Sequence, residues 1–227
     1  MASEGGAPRY DGPIVDAHHH VWLRDRVPWL NGPMQPRIFG PYEAIRRDYT
    51  IEEFQADAAP SGVVASVYVQ VNVAPGAEVD EVAWVESLAR ETGLPSAIVA
   101  FADLAQPDLD VLLDRHLAAG LVRGIRQQLH WHANPLYRFA PRPDLMNDPA
   151  WRRGLARVAA RGLLFELQVF ESQFADCAAL AGKTVAVASS AGNVLSAPSV
   201  ATDSTGQARF TLTGTQPGAD RLLAALH

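Results

Sequence analysis

Between residues 14 and 181, short apolar runs alternate with helical stretches, and this rhythm restricts the fold more than any other feature of the chain. The runs 14–20, 63–71 (VVASVYVQV), 96–102 (SAIVAFA), 121–127 (LVRGIRQ) and 163–170 (LLFELQVF) have the length and apolar character of buried strands. Between them lie EVDEVAWVESLARET ending at Gly93, DLDVLLDRHLAAG ending at Gly120, and DPAWRRGLARVAARG ending at Gly162, all with helical patterns. Glycine suits the left-handed end of a helix, and Asp148 followed by Pro149 suits the start of the third one. Alternation of this kind predicts a parallel sheet with helices outside it, an α/β fold. Residues 23–60, with many prolines and aromatics (RVPWLNGPMQPRIFGPY), read as a long loop over one end of that sheet, either a lid or a surface insertion.

After Ala181 the rhythm changes. The stretch GKTVAVASSAGNVLSAPSVATDSTGQARFTLTGTQPGADRL is rich in Ser, Thr, Gly and Ala and alternates as half-buried antiparallel strands do, with DSTGQ at 203–207 as a turn. The expected division is a flexible tail over 1–13, an α/β part over 14–181 and a β-rich part over 182–227. A net charge of -6 without a basic run argues against nucleic acid and leaves small molecules as the expected partners. The polar start lacks the basic and apolar pattern of a signal peptide, and no run is long enough to cross a bilayer, so the expected address is the cytoplasm with no membrane partner. The single cysteine, Cys177, excludes an internal disulfide and a cysteine-rich zinc site; its alanine-rich helical setting predicts packing.

Three of the seven histidines stand together in IVDAHHHVW at 14–22. Alternate residues of a strand share a face, so Asp16, His18 and His20 are expected together and His19 opposite. Two imidazoles at a strand end can hold a divalent ion, zinc first among them; the alternative is a pair of structural, hydrogen-bonded histidines. The same parity groups Ser66, Tyr68, Gln70 and Asn72 on the second strand, Gly124, Arg126 and Gln128 on the fourth, and Glu166 with Gln168 on the fifth. Polar groups thus converge near the C-terminal ends of several strands, where α/β sheets and barrels place ligands. In LHWH at 129–132, His130 and Trp131 are expected to wall a pocket and His132 to lie in a loop. Asp103 is read equally as a ligand or base and as a cap.

The motifs IVDAHHHVW, VRGIRQQLHW, RFAPRPDLMNDPAWRRGLA and GLLFELQVF, in this order over about residues 13–181, resemble the amidohydrolase-related family 2. These are metal-dependent TIM-barrel hydrolases that include sugar and aromatic-acid lactonases. The resemblance implies opening of a lactone, or a related ester or amide bond, by water, often with a zinc-like ion, although metal-independent relatives exist. By it, His18 and His20 match the first-strand metal or substrate pair, Arg126 matches an arginine suited to a substrate carboxylate, and His130, Glu166 and Gln168 line the pocket, with Gln70 beside them. No catalytic residue is assigned. The family's pattern continues through three further strand and helix units, with a histidine in an Asn-His-Ala-Gly-like stretch and a late aspartate, and neither is found in this sequence.

Residues 182–222 resemble the later strands of a bacterial immunoglobulin-like domain of the invasin and intimin type, carried by the Thr-Asp-x-x-Gly-Gln turn at 202–207. The expected architecture is therefore a partial TIM-barrel of about five strand–helix units followed by a short all-β immunoglobulin-like segment. Three functions follow: a lactonase-type hydrolase; a non-catalytic truncated or chimeric product that keeps metal or ligand binding and self-associates through open sheet edges; or an immunoglobulin-like binding module.

Overall fold

The computed structural model describes residues 12–178 and, beyond them, the backbone of five short strands. The first part contains β1 (Ile14–His19), α1 (Pro28–Asn31), α2 (Ile51–Ala58), β2 (Val63–Val69), α3 (Glu78–Thr92), β3 (Ala97–Phe101), α4 (Leu109–Ala118), β4 (Val122–Arg126), α5 (Pro149–Ala160), β5 (Leu164–Leu167) and α6 (Phe174–Ala178). Strands β1 to β5 pair in sequence order, all parallel, and form a curled half-barrel with helices on one side. The parallel order with helices outside it is what the alternation predicts, and the curl of a partial barrel is what the family resemblance implies.

Local chemistry explains the boundaries. Asp148 Oδ1 accepts from the N–H groups of Ala150 and Trp151 and starts α5, with Pro149 in its first turn. Gly93 closes α3 at φ 82°, a conformation that costs a residue with a Cβ. The segment 23–60 departs from the expected plain loop, because it contains α1 and the two-turn α2. Thr50 Oγ1 accepts from the Glu53 N–H and caps α2, and Ile51 and Phe54 bury one face of it. A pair of bridging hydrogen bonds between Trp22 and Tyr49 closes the segment, and Trp29 Nε1 donates to the Val71 carbonyl, which ties it to the end of β2.

The core lies between the strands and the helices. Trp151, Tyr68, Phe165, Ile98, Leu109, Leu113 and Ile125 are fully buried, and burying an apolar side chain of this size contributes about 1.5–3 kcal/mol. Trp151 of α5 meets Phe165 of β5 edge to face, ring centroids 5.5 Å apart. Helix α5 also approaches the turn after β3 so closely that a Cβ on Gly154 would lie 2.0 Å from the Leu104 carbonyl oxygen. On the opposite, inner side of the strands Leu164, which alternates with the buried Phe165, is 44% exposed.

Beyond residue 178 the described strands are β6 (Thr184–Ser189), β7 (Val194–Leu195), β8 (Ser199–Ala201), β9 (Leu212–Thr213) and β10 (Leu222–Leu226). Strand β10 pairs antiparallel with β5 and with β6, and β6 pairs with β8, so one sheet runs β1-β2-β3-β4-β5-β10-β6-β8. The short pair β7–β9 stands apart. Most of the stretch read as immunoglobulin-like, including its turn at 202–207, lies outside the described residues, as does the tail over 1–11. The outer edge of β5, expected to be open, carries β10. Among the described residues, β1 has β2 as its one strand partner.

Candidate functional site

The register of the half-barrel places the polar strand ends together. Arg126, last in β4, stands opposite Glu166 of β5, and Gln168 follows just beyond β5. Arg126 Nη2 donates to Gln168 Oε1 at 2.9 Å, its Nη1 lies 3.3 Å from His18 Nε2, and its Nε lies 3.8 Å from Glu166 Oε2. His18 reaches both neighbours: Nδ1 lies 3.6 Å from Glu166 Oε1, and Nε2 lies 3.2 Å from His20 Nε2. His18, His20, Arg126, Glu166 and Gln168 therefore form one cluster at the C-terminal ends of β1, β4 and β5. Asp16 joins its margin, with Oδ1 accepting from the His18 backbone N–H.

Hydrogen-bond partners fix the imidazole tautomers. His20 Nδ1 is 2.7 Å from the Val69 carbonyl oxygen, which can only accept, so Nδ1 carries the proton and Nε2 keeps its lone pair. A guanidinium can only donate, so His18 Nε2 beside Arg126 also presents a lone pair, and the His18 Nδ1–H turns to Glu166. The two Nε2 atoms stand 3.2 Å apart, and the single lone pair of His18 Nε2 is directed to Arg126 Nη1 at 3.3 Å. Burial holds both rings below the ordinary histidine pKa, His20 down to about 4, so they stay neutral; for His18 the Arg126 charge adds to the effect and Asp16 opposes it. Burial pushes the Glu166 carboxyl up while Arg126 pulls it down.

Neutral imidazoles this close can serve one divalent ion once His18 Nε2 turns its lone pair from Arg126 to that ion. Two zinc–nitrogen bonds of about 2.0–2.1 Å at a tetrahedral angle hold their nitrogens about 3.3 Å apart, so the pair fits as two ligands of one ion. Among the described residues, no group of three or more His, Cys, Asp or Glu is arranged to hold a metal.

The other sequence candidates lie outside this contact network. Gln70 is 2% exposed; its Oε1 accepts from the Asn72 N–H, and its Nε2 is buried without a hydrogen-bond partner. His130 is buried against Phe139 and Phe170, ring centroids 4.1 and 5.2 Å away. His132 sits in a loop, Nδ1 accepting from the Asn134 N–H. Asp103 serves structure: its Oδ1 accepts from the Ala105 N–H and from Gln127 Nε2. On β2, Ser66 and Tyr68 face the helices, since Ser66 Oγ bonds His19 Nε2 and the Tyr68 hydroxyl donates to Glu81 Oε1 of α3. His19, opposite to His18 as parity requires, stacks on Phe54 of α2. Cys177 packs with its Sγ 3.7 Å from Met146 Sδ, burial pushing the thiol up to about 12. The second partner of His20, the Val69 carbonyl, has no signature in the sequence because it is a backbone group.

Parallel strands ringed by helices, with imidazole, guanidinium and carboxylate groups gathered at the strand ends, define a protein of the α/β-barrel class. The profile described as Amidohydrolase matches residues 15–187, and the chain belongs to that family. An uncharacterized protein, y4mH, of Sinorhizobium fredii is 35% identical over 173 residues, covering 75% of this chain and 58% of that protein. L-fucono-1,5-lactonase of Burkholderia multivorans is 27% identical over 171 residues, covering 74% and 51%. A crystal structure of a Burkholderia multivorans amidohydrolase with bound Zn superposes with a TM-score of 0.56 at 24% identity, over 74% of this chain and 53% of that one, and shares the fold. The chain spans about half the length of these relatives. No described helix is long and apolar enough to cross a membrane.

Proposed function

We propose that the strand-end cluster is the ion- and substrate-holding part of a hydrolase that opens lactones with water. The observation that carries this reading is the approach of His18 Nε2 and His20 Nε2 to 3.2 Å beside Arg126, Glu166 and Gln168. Family membership supports hydrolysis, and the name of the Burkholderia relative supports a small lactone as substrate.

His18 and His20 would hold the ion, zinc first. When bound, such an ion lowers the pKa of a water toward neutrality and polarises a carbonyl. The chain's own groups prepare that site. The Val69 carbonyl accepts from His20 Nδ1–H and leaves its Nε2 for the ion, and the Glu166 carboxylate stands 3.6 Å from His18 Nδ1. Gln168 orients Arg126, whose guanidinium donates to His18 Nε2 until an ion would take its place there. Glu166, a quarter exposed, stands at the edge where a ring substrate would enter.

The test is ring opening of 1,5-aldonolactones by the full chain, followed by proton release after chelation and again after zinc is restored. Activity should return with zinc and fall more than about 100-fold in His20→Ala, beyond the usual loss from removing only a partner of a ligand. A second reading, a non-catalytic metal- or ligand-binding product with an immunoglobulin-like tail that self-associates through the edge of β1, is favoured by the ligand count, since catalytic zinc takes three protein ligands. Bound zinc without ring opening, in a species that grows with concentration in light scattering, would select it.

A further inference from the structure

We infer that this site selects uncharged, hydroxyl-bearing rings over anionic ones, and that Glu166 is the specificity-determining residue. The inference rests on the lactone reading above for the identity of the ring, and on the arrangement of three side chains for the selection.

An arginine at a strand end ordinarily offers a fork to a ligand carboxylate. Here the protein has filled that role itself. The Arg126 side chain is 7% exposed, whereas Glu166 is 26% and His18 36% exposed. The guanidinium is engaged on three sides, by His18 Nε2, Gln168 Oε1 and Glu166 Oε2. Glu166 lies directly opposite it in the parallel register, so the pairing is built into the sheet. A ligand entering from the open inner side meets the carboxylate and the imidazole first, and the cation only behind them.

A ligand carboxylate would have to push Glu166 aside to make a two-pronged contact with Arg126. Glu166 Oε2 and Arg126 Nε are already buried without hydrogen-bond partners, and a displaced Glu166 would sit as a second anion against the first. Asp16, bonded to the His18 backbone, adds a further carboxylate on the same margin. A hydroxyl meets no such penalty, because it donates to the free lone pairs of the Glu166 carboxylate. Neutral sugar-like rings therefore fit, and ring acids do not.

The experiment uses the full chain after chelation, with two lactams that water does not open: a neutral sugar 1,5-lactam, and the same ring with a carboxylate in place of its exocyclic hydroxymethyl group. Calorimetry should show the neutral ring binding about tenfold more tightly or better, a ratio that falls to one or below in Glu166→Gln and survives in Glu166→Asp. Tighter binding of the acid ring by the unaltered protein, a ratio unchanged in Glu166→Gln, or no binding of either ring would overturn the inference. Turnover of the matching lactones separates it from the hydrolase reading. Preference for the neutral lactam without ring opening would leave the inference standing and remove the reading. Ring opening with the acid preferred would do the reverse.

Discussion

Both sides of the half-barrel carry polar residues, and they carry them differently. On the helix side each polar group closes a structural contact: Tyr68 with Glu81, Ser66 with His19, and Gln127 with Trp151, Leu104 and Asp103. On the inner side His18, His20, Arg126, Glu166 and Gln168 have mostly one another, and His18 and Glu166 remain partly exposed. Strand parity shows which residues share a face, and it does not show which face carries the chemistry. That distinction comes from the partners across the sheet.

Substitutions on the helix side should cost stability. The largest effect is expected for Trp151→Ala, which empties a fully buried site and leaves Gln127 Oε1 only the Leu104 N–H of its two donors; about 3–5 kcal/mol should be lost in chemical denaturation. Tyr68→Phe should cost about 1–3 kcal/mol, because Glu81 Oε1 keeps the Val71 N–H and loses its other donor. If His18→Ala proved as damaging as either, the two faces would not differ in kind. It is expected to stay within about 1 kcal/mol of the parent in the same assay, since it is exposed and makes no core contact.

Acid should sharpen the contrast from the helix side. His116 is fully buried with Nε2 2.9 Å from the Phe101 carbonyl oxygen, and burial holds its pKa below 6.5. The unfolded chain therefore takes the proton first as pH falls below about 6.5, and stability declines from there until the folded group titrates. His116→Gln should show a smaller fall in Tm between pH 7.5 and 5.5 than the parent; an equal fall would remove His116 as a source.

The fold was largely legible in the sequence, because length, β-branching and glycine stops are local signals. The α3 pattern EVDEVAWVESLARET and the Asp148-Pro149 start of α5 match the observed helices. Helix α2 was missed, although Thr50 and Glu53 form a recognisable start, because two turns after a proline-rich stretch leave little periodicity. Of the site, the His18–His20 pair and Arg126 with Glu166 and Gln168 were legible from parity. The placement of Ser66 and Tyr68 against the helices was not, since their partners His19 and Glu81 lie 47 and 13 residues away in sequence. The pairing of β10 with β5 was likewise invisible, because nothing local in LLAAL names a strand partner.

We propose above that the Nε2 atoms of His18 and His20, 3.2 Å apart, hold an ion together. The direct measurement is metal content per chain by elemental analysis of size-fractionated protein, for the parent and for His18→Ala. Near-stoichiometric zinc in the parent that is lost in the variant is the predicted result; a folded parent that takes up no divalent metal even when zinc is supplied would contradict it.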